Sequence, residues 1–301
     1  MNRRSFVKNA GFSFGAIPLL RADWFTRFMQ DNPYKMKMLR NNVGIFTEKG
    51  GTIAYYLSKN NIAVVDAEFP EQSKHLIDAL KKDPGKPFEI LINTHHHGDH
   101  TAGNISFKGI VSHVAAHSNS LLNQQRVAKE QNKEADQLYP DITYGDGWEY
   151  KKLKENIKTY YYGPAHTNGD SIIFFPHANI AHVGDLVFNR RWAFIDRSAG
   201  ASIKNWIIVL DKIQSEFDND TLFVFGHAFD PEKVTGNKAD LKAMQDYLKN
   251  LLAFVNSQIK AGKTKDEILK ATSIPGVTEW QGDGIERGLQ AAYDECVQTV
   301  I

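Results

Sequence analysis

Short runs in which apolar and polar positions alternate dominate the first hundred residues, and helical periods become common later. The runs Lys35 to Leu39, Val43 to Glu48, Thr52 to Ser58 and Ile62 to Ala67 are separated by Asn-Asn and Gly-Gly turn signals. They predict a meander of antiparallel strands. In Pro70 to Lys82 the apolar Leu76, Ile77 and Leu80 recur among charges, which is a helical spacing, and Phe88 to Thr94 returns to strand. The pattern has then become β-α-β. A helical region follows at Ala116 to Gln131. Strands are expected at Ile157 to Tyr162, Ser171 to Phe175 and Ile180 to Val183, a helix at Ile203 to Phe217, and a strand at Thr221 to Phe225. From Lys238 to Thr272 the sequence turns helical with dense charge, broken near Gly262, and Asp266 to Lys270 begins the second helix. No apolar run reaches the roughly 18 residues of a membrane-spanning helix, and neither an internal repeat nor a low-complexity segment is evident.

Composition narrows the chemistry. The chain has 301 residues, 42% hydrophobic and 24% charged, which is the balance of a folded globular body. Lys plus Arg number 36 against 35 Asp plus Glu, so the basic excess that phosphate backbones attract is missing and nucleic acid is a poor partner. Cys296 is the single cysteine, so an intrachain disulfide cannot form and a bound metal must rest on histidine and carboxylate. Its own reading is a thiol buried in packing.

The N-terminus has a different character. The basic stretch Asn2 to Lys8, with Arg3 and Arg4 paired ahead of Phe6 and Lys8, leads into the mildly apolar Ala10 to Leu20. This order predicts an export signal over residues 1–24 and resembles the twin-arginine type, which implies an exported, periplasmic protein. No A-x-A site near Leu20 to Trp24 marks its end.

Candidate chemistry is concentrated in residues 93–104, Asn-Thr-His-His-His-Gly-Asp-His-Thr-Ala-Gly-Asn, directly after the apolar run Phe88 to Ile92. His95 and His97 are two apart, so in extended backbone their imidazoles face one way, while a turn at Gly98 redirects Asp99 and His100. Two groups of ligands can thus face two adjacent points. An internal run interrupted by Gly98 and Asp99 is not an expression tag. His96 should point away from its neighbours, and His75, His113, His117, His177 and His182 have no partner at a ligand spacing and read as surface or packing residues.

The segment T-H-x-H-x-D-H resembles the signature of the metallo-β-lactamase fold superfamily. Four further matches follow in order: Asp66 after the strand Ile62 to Val65, His166 in Gly163 to Ser171, Asp185 in His182 to Phe188, and His227 in Phe225 to Ala228. The resemblance spans about residues 43–230. It implies an α/β fold, the four-layer αβ/βα sandwich, as a single domain over 35–301 with residues 238–301 as extra C-terminal helices. It also implies that His95, His97 and His166 hold one metal, that Asp99, His100 and His227 hold the other, and that Asp185 is shared, with Asp66 bracing the metal loops from behind. Thr94, Gly98 and Gly103 serve loop geometry.

Imidazole and carboxylate donors without thiolate suit zinc first, here two Zn2+ per chain, with iron or manganese as alternatives. The reading that follows is a dinuclear zinc-dependent hydrolase using a metal-bound hydroxide on a small ester, thioester, lactone or lactam, with Asp99 orienting the nucleophile and relaying its proton. A carboxylate at position 185 resembles lactonases and related hydrolases more than true β-lactamases, which generally carry Cys or Ser there. The alternatives are β-lactamase activity proper and a mononuclear-iron, persulfide dioxygenase-like oxidoreductase. No residue is assigned to the substrate; Arg190, Arg191, Trp192 and Phe194 follow Asp185 closely enough to line a groove or to form a packed flap. Substrate, native metal and oligomeric state stay open at this point.

Overall fold

A computed structural model of the chain describes residues 33–81 and 85–298. The export-signal reading of residues 1–24 lies outside the described residues.

The first sheet has seven strands in sequence order, β1 (Lys35–Arg40), β2 (Val43–Thr47), β3 (Ile53–Leu57), β4 (Ile62–Val65), β5 (Phe88–Asn93), β6 (Val111–His117) and β7 (Ile142–Tyr144). The four strands of the meander pair antiparallel, and β4 to β7 run parallel. The second sheet contains β8 (Gly147–Tyr150), β9 (Ile157–Tyr160), β10 (Ile172–Phe175), β11 (Ile180–His182), β13 (Leu222–Val224) and β15 (Thr235–Gly236), in the order β15-β13-β11-β10-β9-β8. A separate parallel pair joins β12 (Phe188–Asn189) to β14 (His227–Ala228).

Strand alternation explains the layering. In β4, Ala63 and Val65 face a core shared with Ile173, Phe175, Ile180 and Val224 of the second sheet, while Ile62 and Val64 face a core outside the first sheet. Successive side chains take opposite faces, so a strand apolar at every position must be covered on both sides. Helix α1 (Pro70–Leu80) covers the outer face of the first sheet with Leu76, Ile77 and Leu80, the stripe expected from its spacing. The very short α2 (Gly98–Thr101) and α3 (Ser118–Glu130) follow β5 and β6. The outer face of the second sheet, including Ile172, Ala181 and Phe223, packs under α4 (Ile203–Glu216), α5 (Lys238–Lys260), α6 (Lys265–Leu269) and α7 (Ile285–Gln298) through Trp206, Leu210, Leu248, Ile268 and Leu289. The result is the four-layer αβ/βα sandwich with added C-terminal helices.

Local signals set most ends. Ser202 caps α4 by accepting from Asn205 N, and capping boxes start α5 (Asn237, Asp240) and α6 (Thr264, Glu267). The chain turns between α5 and α6 at Gly262, whose φ is +77°. Three elements depart from the periodicity. Strand β6 is buried within the parallel part of the sheet and continues through His117, so α3 begins at Ser118 rather than Ala116, capped by the His117 ring. Strands β7 and β8 occupy a stretch too short and mixed to show a period. Helix α7 spans the C-terminal region in which Cys296 lies, half-buried. Among the described residues no helix is long and apolar enough to cross a membrane.

Candidate metal centre

The chemistry-bearing side chains come together where the two sheets meet at one end. His95 and His97 leave the C-terminal end of β5, and Asp99 and His100 lie on α2 immediately after. His166 precedes β10, Asp185 sits in the turn after β11, and His227 opens β14 just beyond β13. Every residue proposed from the sequence as a ligand is therefore delivered by a strand end or by the turn that follows it. Parallel strand ends are where open α/β sheets place their sites.

Donor atoms converge in two groups. His95 Nε2 is 3.1 Å from His97 Nδ1, and His166 Nε2 is 2.9 Å from the same atom. Asp185 Oδ2 lies 3.8 Å from His95 Nε2 and 3.5 Å from His166 Nε2. In the second group His227 Nε2 is 3.0 Å from Asp99 Oδ2 and 3.4 Å from His100 Nε2, and Asp185 Oδ1 is 3.1 Å from His100 Nε2. Four donors placed tetrahedrally about 2.0–2.1 Å from one zinc stand about 3.3–3.4 Å apart, so the observed separations match a shared cation.

The hydrogen-bond network supplies an independent reason for a cation. His166 Nδ1 donates to the Phe194 carbonyl at 2.7 Å, which leaves Nε2 as a lone pair. His97 Nε2 donates to Asp196 Oδ2 at 3.0 Å, which leaves Nδ1 as a lone pair. Thr94 Oγ1 donates to Asp66 Oδ2 at 2.8 Å and so accepts from His95 Nδ1 at 3.1 Å, leaving His95 Nε2 bare as well. His100 Nδ1 donates to Asp66 Oδ2 at 2.8 Å. Each outer partner thus fixes a tautomer and aims a lone pair inward. Facing lone pairs about 3 Å apart repel unless a positive centre lies between them. Asp185 Oδ1, buried and without a hydrogen-bond donor, is in the same position. The residues fit a metal.

Electrostatics agree with this arrangement. Burial pushes His166 down to about 3 and His95 well below the ordinary histidine range, so both are neutral ligands. Burial also opposes charge on His100, but Asp185, Asp99 and Asp66 outweigh it and hold its pKa well above the ordinary value, which locates a strongly negative potential there. Burial works against ionised Asp99 and Asp185, yet the surrounding imidazoles, His100 for the first and His227 for the second, keep both below the usual carboxylate range.

Close backbone approach protects the geometry. Asp66 adopts φ +64° and accepts from Thr94 N, Thr94 Oγ1 and His100 Nδ1, each at 2.8 Å. A Cβ on Gly226 would stand 1.9 Å from Asp185 Oδ1.

The domain family settles the assignment. The metallo-beta-lactamase superfamily matches residues 50–227 of the chain. The chain belongs to that superfamily. It is a metal-dependent hydrolase whose His and Asp clusters can bind metal. It is 24% identical over 207 residues to the metallo-beta-lactamase IND-1 of Chryseobacterium indologenes, covering 66% of this chain and 82% of the relative. It is 23% identical over 210 residues to the type 2 metallo-beta-lactamase of Elizabethkingia meningoseptica, covering 66% and 81%. Among solved structures, the metallo-beta-lactamase from Pontibacter korlensis superposes with a TM-score of 0.60 at 18% identity, over 72% of this chain and 99% of that one. A variant of the sec-alkyl sulfatase PisA1 superposes with a TM-score of 0.69 at 13% identity, over 88% of this chain and 50% of that one. Both likenesses concern the fold.

Within this metallo-beta-lactamase fold, several side chains near the centre carry no sequence signal. Asp196 holds His97 and also lies 3.6 Å from His96 Nε2, so His96, His97 and Asp196 form a further group close enough for a metal. His97 Nε2 already donates into that group. The His96 ring lines a neighbouring cavity of about 590 Å³, and its Nδ1 is buried without a partner. Glu295, on α7, accepts from Ile203 N at 2.8 Å and Lys204 N at 2.9 Å and pairs with Arg197 at 3.0 Å, tying the loop that carries Asp196. A cleft of about 340 Å³ above Asp99, Asp185 and His227 is lined by Phe188, Arg191, Trp192, Phe194 and Arg287. Arg190 turns elsewhere, at φ +58°, pairing with Glu279 at 2.9 Å and lying over Trp280. The other histidines are packing or surface groups: His182 bonds to the Thr52 carbonyl at 2.8 Å, His117 stacks on Tyr161, and His75, His113 and His177 pair with Glu48, Asp141 and Glu155.

Proposed function

We propose that the chain is a dinuclear zinc-dependent hydrolase of a small ester, thioester, lactone or lactam. His95, His97 and His166 would hold one ion, Asp99, His100 and His227 the other, and Asp185 would serve both. The observation that carries this reading is the convergence of lone pairs from both groups on the two oxygens of one buried carboxylate. The N/O donor set without sulfur favours zinc. Two bound divalent cations supply polarisation of the scissile carbonyl and activation of a water near neutral pH.

The chain's own residues do the rest. Asp99 is held ionised, and its side chain is 33% exposed toward the cleft. It can orient an attacking water and take its proton. As the acyl bond to the leaving group breaks, the same carboxylic acid returns that proton to the departing oxygen, sulfur or nitrogen. Phe188, Trp192 and Phe194 exclude water from one wall of the cleft.

Elemental analysis of purified protein, paired with a panel of a chromogenic cephalosporin, a lactone, a thioester and a phosphodiester, tests this reading. About two zinc ions per chain with turnover of one acyl class is expected. About one iron with oxygen uptake and no hydrolysis overturns it. The N-terminal arginine pair supports export by the twin-arginine type of signal. Replacing Arg3→Lys together with Arg4→Lys is expected to keep the protein in the cytoplasm, and unchanged accumulation outside it refutes that.

A further inference from the structure

The cleft over the metal centre has two arginines on its rim, Arg191 and Arg287. They arrive from different segments: Arg191 follows β12, and Arg287 lies in the first turn of α7, beyond the residues that match the superfamily. Two other arginines nearby are committed. Arg190 is paired with Glu279 and Asp240, and Arg197 with Glu295 and Gln298. By contrast, neither the Arg191 nor the Arg287 guanidinium makes a hydrogen bond or ion pair to any of the described residues. Both are exposed, and both line the same 340 Å³ space as Asp99, Asp185 and His227.

Both are also held in place by their surroundings. The Gln281 amide donates to the Arg190 carbonyl at 3.0 Å, and Arg191 bridges Gln281, so the backbone beneath Arg191 is pinned to the C-terminal segment. Arg287 lies 5.8 Å over the Phe194 ring, which in turn is 5.3 Å from the His97 ring. That cation–π contact orients the guanidinium beside the site without using its donors. Helix α7 is fixed under it by buried Leu289, Ala291 and Ala292 and by the Glu295 bonds to the start of α4. Two positioned forks of free N–H donors are what carboxylate, sulfonate and phosphate groups bind.

We infer that Arg191 and Arg287 form an anion-binding rim, and that the substrate is an acyl compound carrying an anionic group apart from its scissile bond. This rests on the hydrolase reading of the cleft and narrows its substrate class. The carboxylates on the floor do not contradict it, since Asp99 and Asp185 are turned toward the imidazoles.

The test uses the zinc-loaded full chain and two esters with the same leaving group, 4-nitrophenyl hemisuccinate and 4-nitrophenyl butyrate. The anionic ester is expected to show the higher kcat/KM. Arg191→Gln and Arg287→Gln should each lower the ratio of the two kcat/KM values by about tenfold, mainly through KM, and Arg287→Lys should restore part of it. Added salt should shrink the ratio, since both groups are exposed. An unchanged ratio in both glutamine variants overturns the inference while leaving the hydrolase reading intact. Calorimetric binding of benzenesulfonate against the neutral methyl phenyl sulfone separates the two claims. If neither ester turns over, arginine-dependent binding of benzenesulfonate supports the rim although the hydrolase reading has failed, and arginine-independent binding overturns it.

Discussion

Gly226→Ala is a one-carbon change that should disable the centre without unfolding the protein. Gly226 does not occupy the left-handed backbone region, so alanine is conformationally acceptable there and the effect is steric. The added Cβ would lie 1.9 Å from Asp185 Oδ1 and 2.9 Å from the Gly184 carbonyl carbon, whereas ordinary contact begins near 3.4 Å. The strand cannot retreat easily. Gly226 N donates to the Gly184 carbonyl at 2.8 Å, and its own carbonyl accepts from Thr52 N at 2.9 Å and Thr52 Oγ1 at 3.1 Å. Asp185 must therefore move, by about 1.5 Å if it takes up the whole overlap. Its two oxygens stand 3.1–3.8 Å from four imidazoles, so both donor groups lose their geometry at once. Displacement by about 1 Å in a reacting centre costs on the order of 100-fold, and overpacking a buried site costs about 1–3 kcal/mol. We expect kcat/KM to fall at least about 100-fold and bound metal to drop, with the far-ultraviolet circular dichroism unchanged. Gly145→Ala is the control, because a Cβ there meets nothing within 4 Å. Wild-type metal content and a rate within about threefold of wild type in Gly226→Ala would refute the steric argument.

Four other outcomes follow from contacts already described. Asp66→Ala strands three buried donors and should cost about 3–5 kcal/mol, read as a lower denaturant midpoint; a loss under 1 kcal/mol counts against its bracing role. Glu295→Ala uncaps α4 and leaves Arg197 unpaired. At about 2–4 kcal/mol it should lower the Tm by roughly 5–15 °C, and an unchanged melt contradicts that. Chelation with EDTA should abolish hydrolysis, with zinc restoring it; full activity in the chelated protein argues against any metal role. Burial holds Glu155 above the ordinary carboxylate range despite the His177 N–H. The folded chain then binds this proton more tightly than the unfolded one, so its contribution to stability falls as pH rises from about 4 through the raised value. Denaturant midpoints across that window should decline less steeply in Glu155→Gln, and parallel profiles would remove Glu155 as the cause.

The metal ligands were legible because the chain places them where periodicity stops. His95, His97, Asp99 and His100 form one contiguous motif after an apolar strand, and His166, Asp185 and His227 each flank a strand in the second half. The layers were legible for a related reason, since strands such as Ile62–Val65 are apolar at every position. What escaped depends on distance in the chain. Asp196 acquires meaning through His97, 99 residues away, and Glu295 through Lys204, 91 residues away. A lone acid on a loop and a lone acid on a helix carry no mark of such partners. Strand β6 escaped because Ser112 and His113 interrupt its apolar run where it is least buried. Arg190 and Arg191 are neighbours in sequence, yet one turns to Glu279 and the other lines the cleft, a divergence set by the left-handed backbone at Arg190.

The donor set is divided between the two sheets. His95, His97, Asp99 and His100 follow a strand of the first, whereas His166, Asp185 and His227 lie beside strands of the second. An ion bound by both sets is a non-covalent cross-link closing chain loops of some seventy to more than a hundred residues. Unfolding must release it, so each tenfold rise in free metal above the dissociation constant adds about 1.4 kcal/mol to the unfolding free energy. The melting temperature of this protein is therefore a gauge of the metal activity of its surroundings, and its lifetime in a metal-poor compartment is set by ion supply as much as by packing.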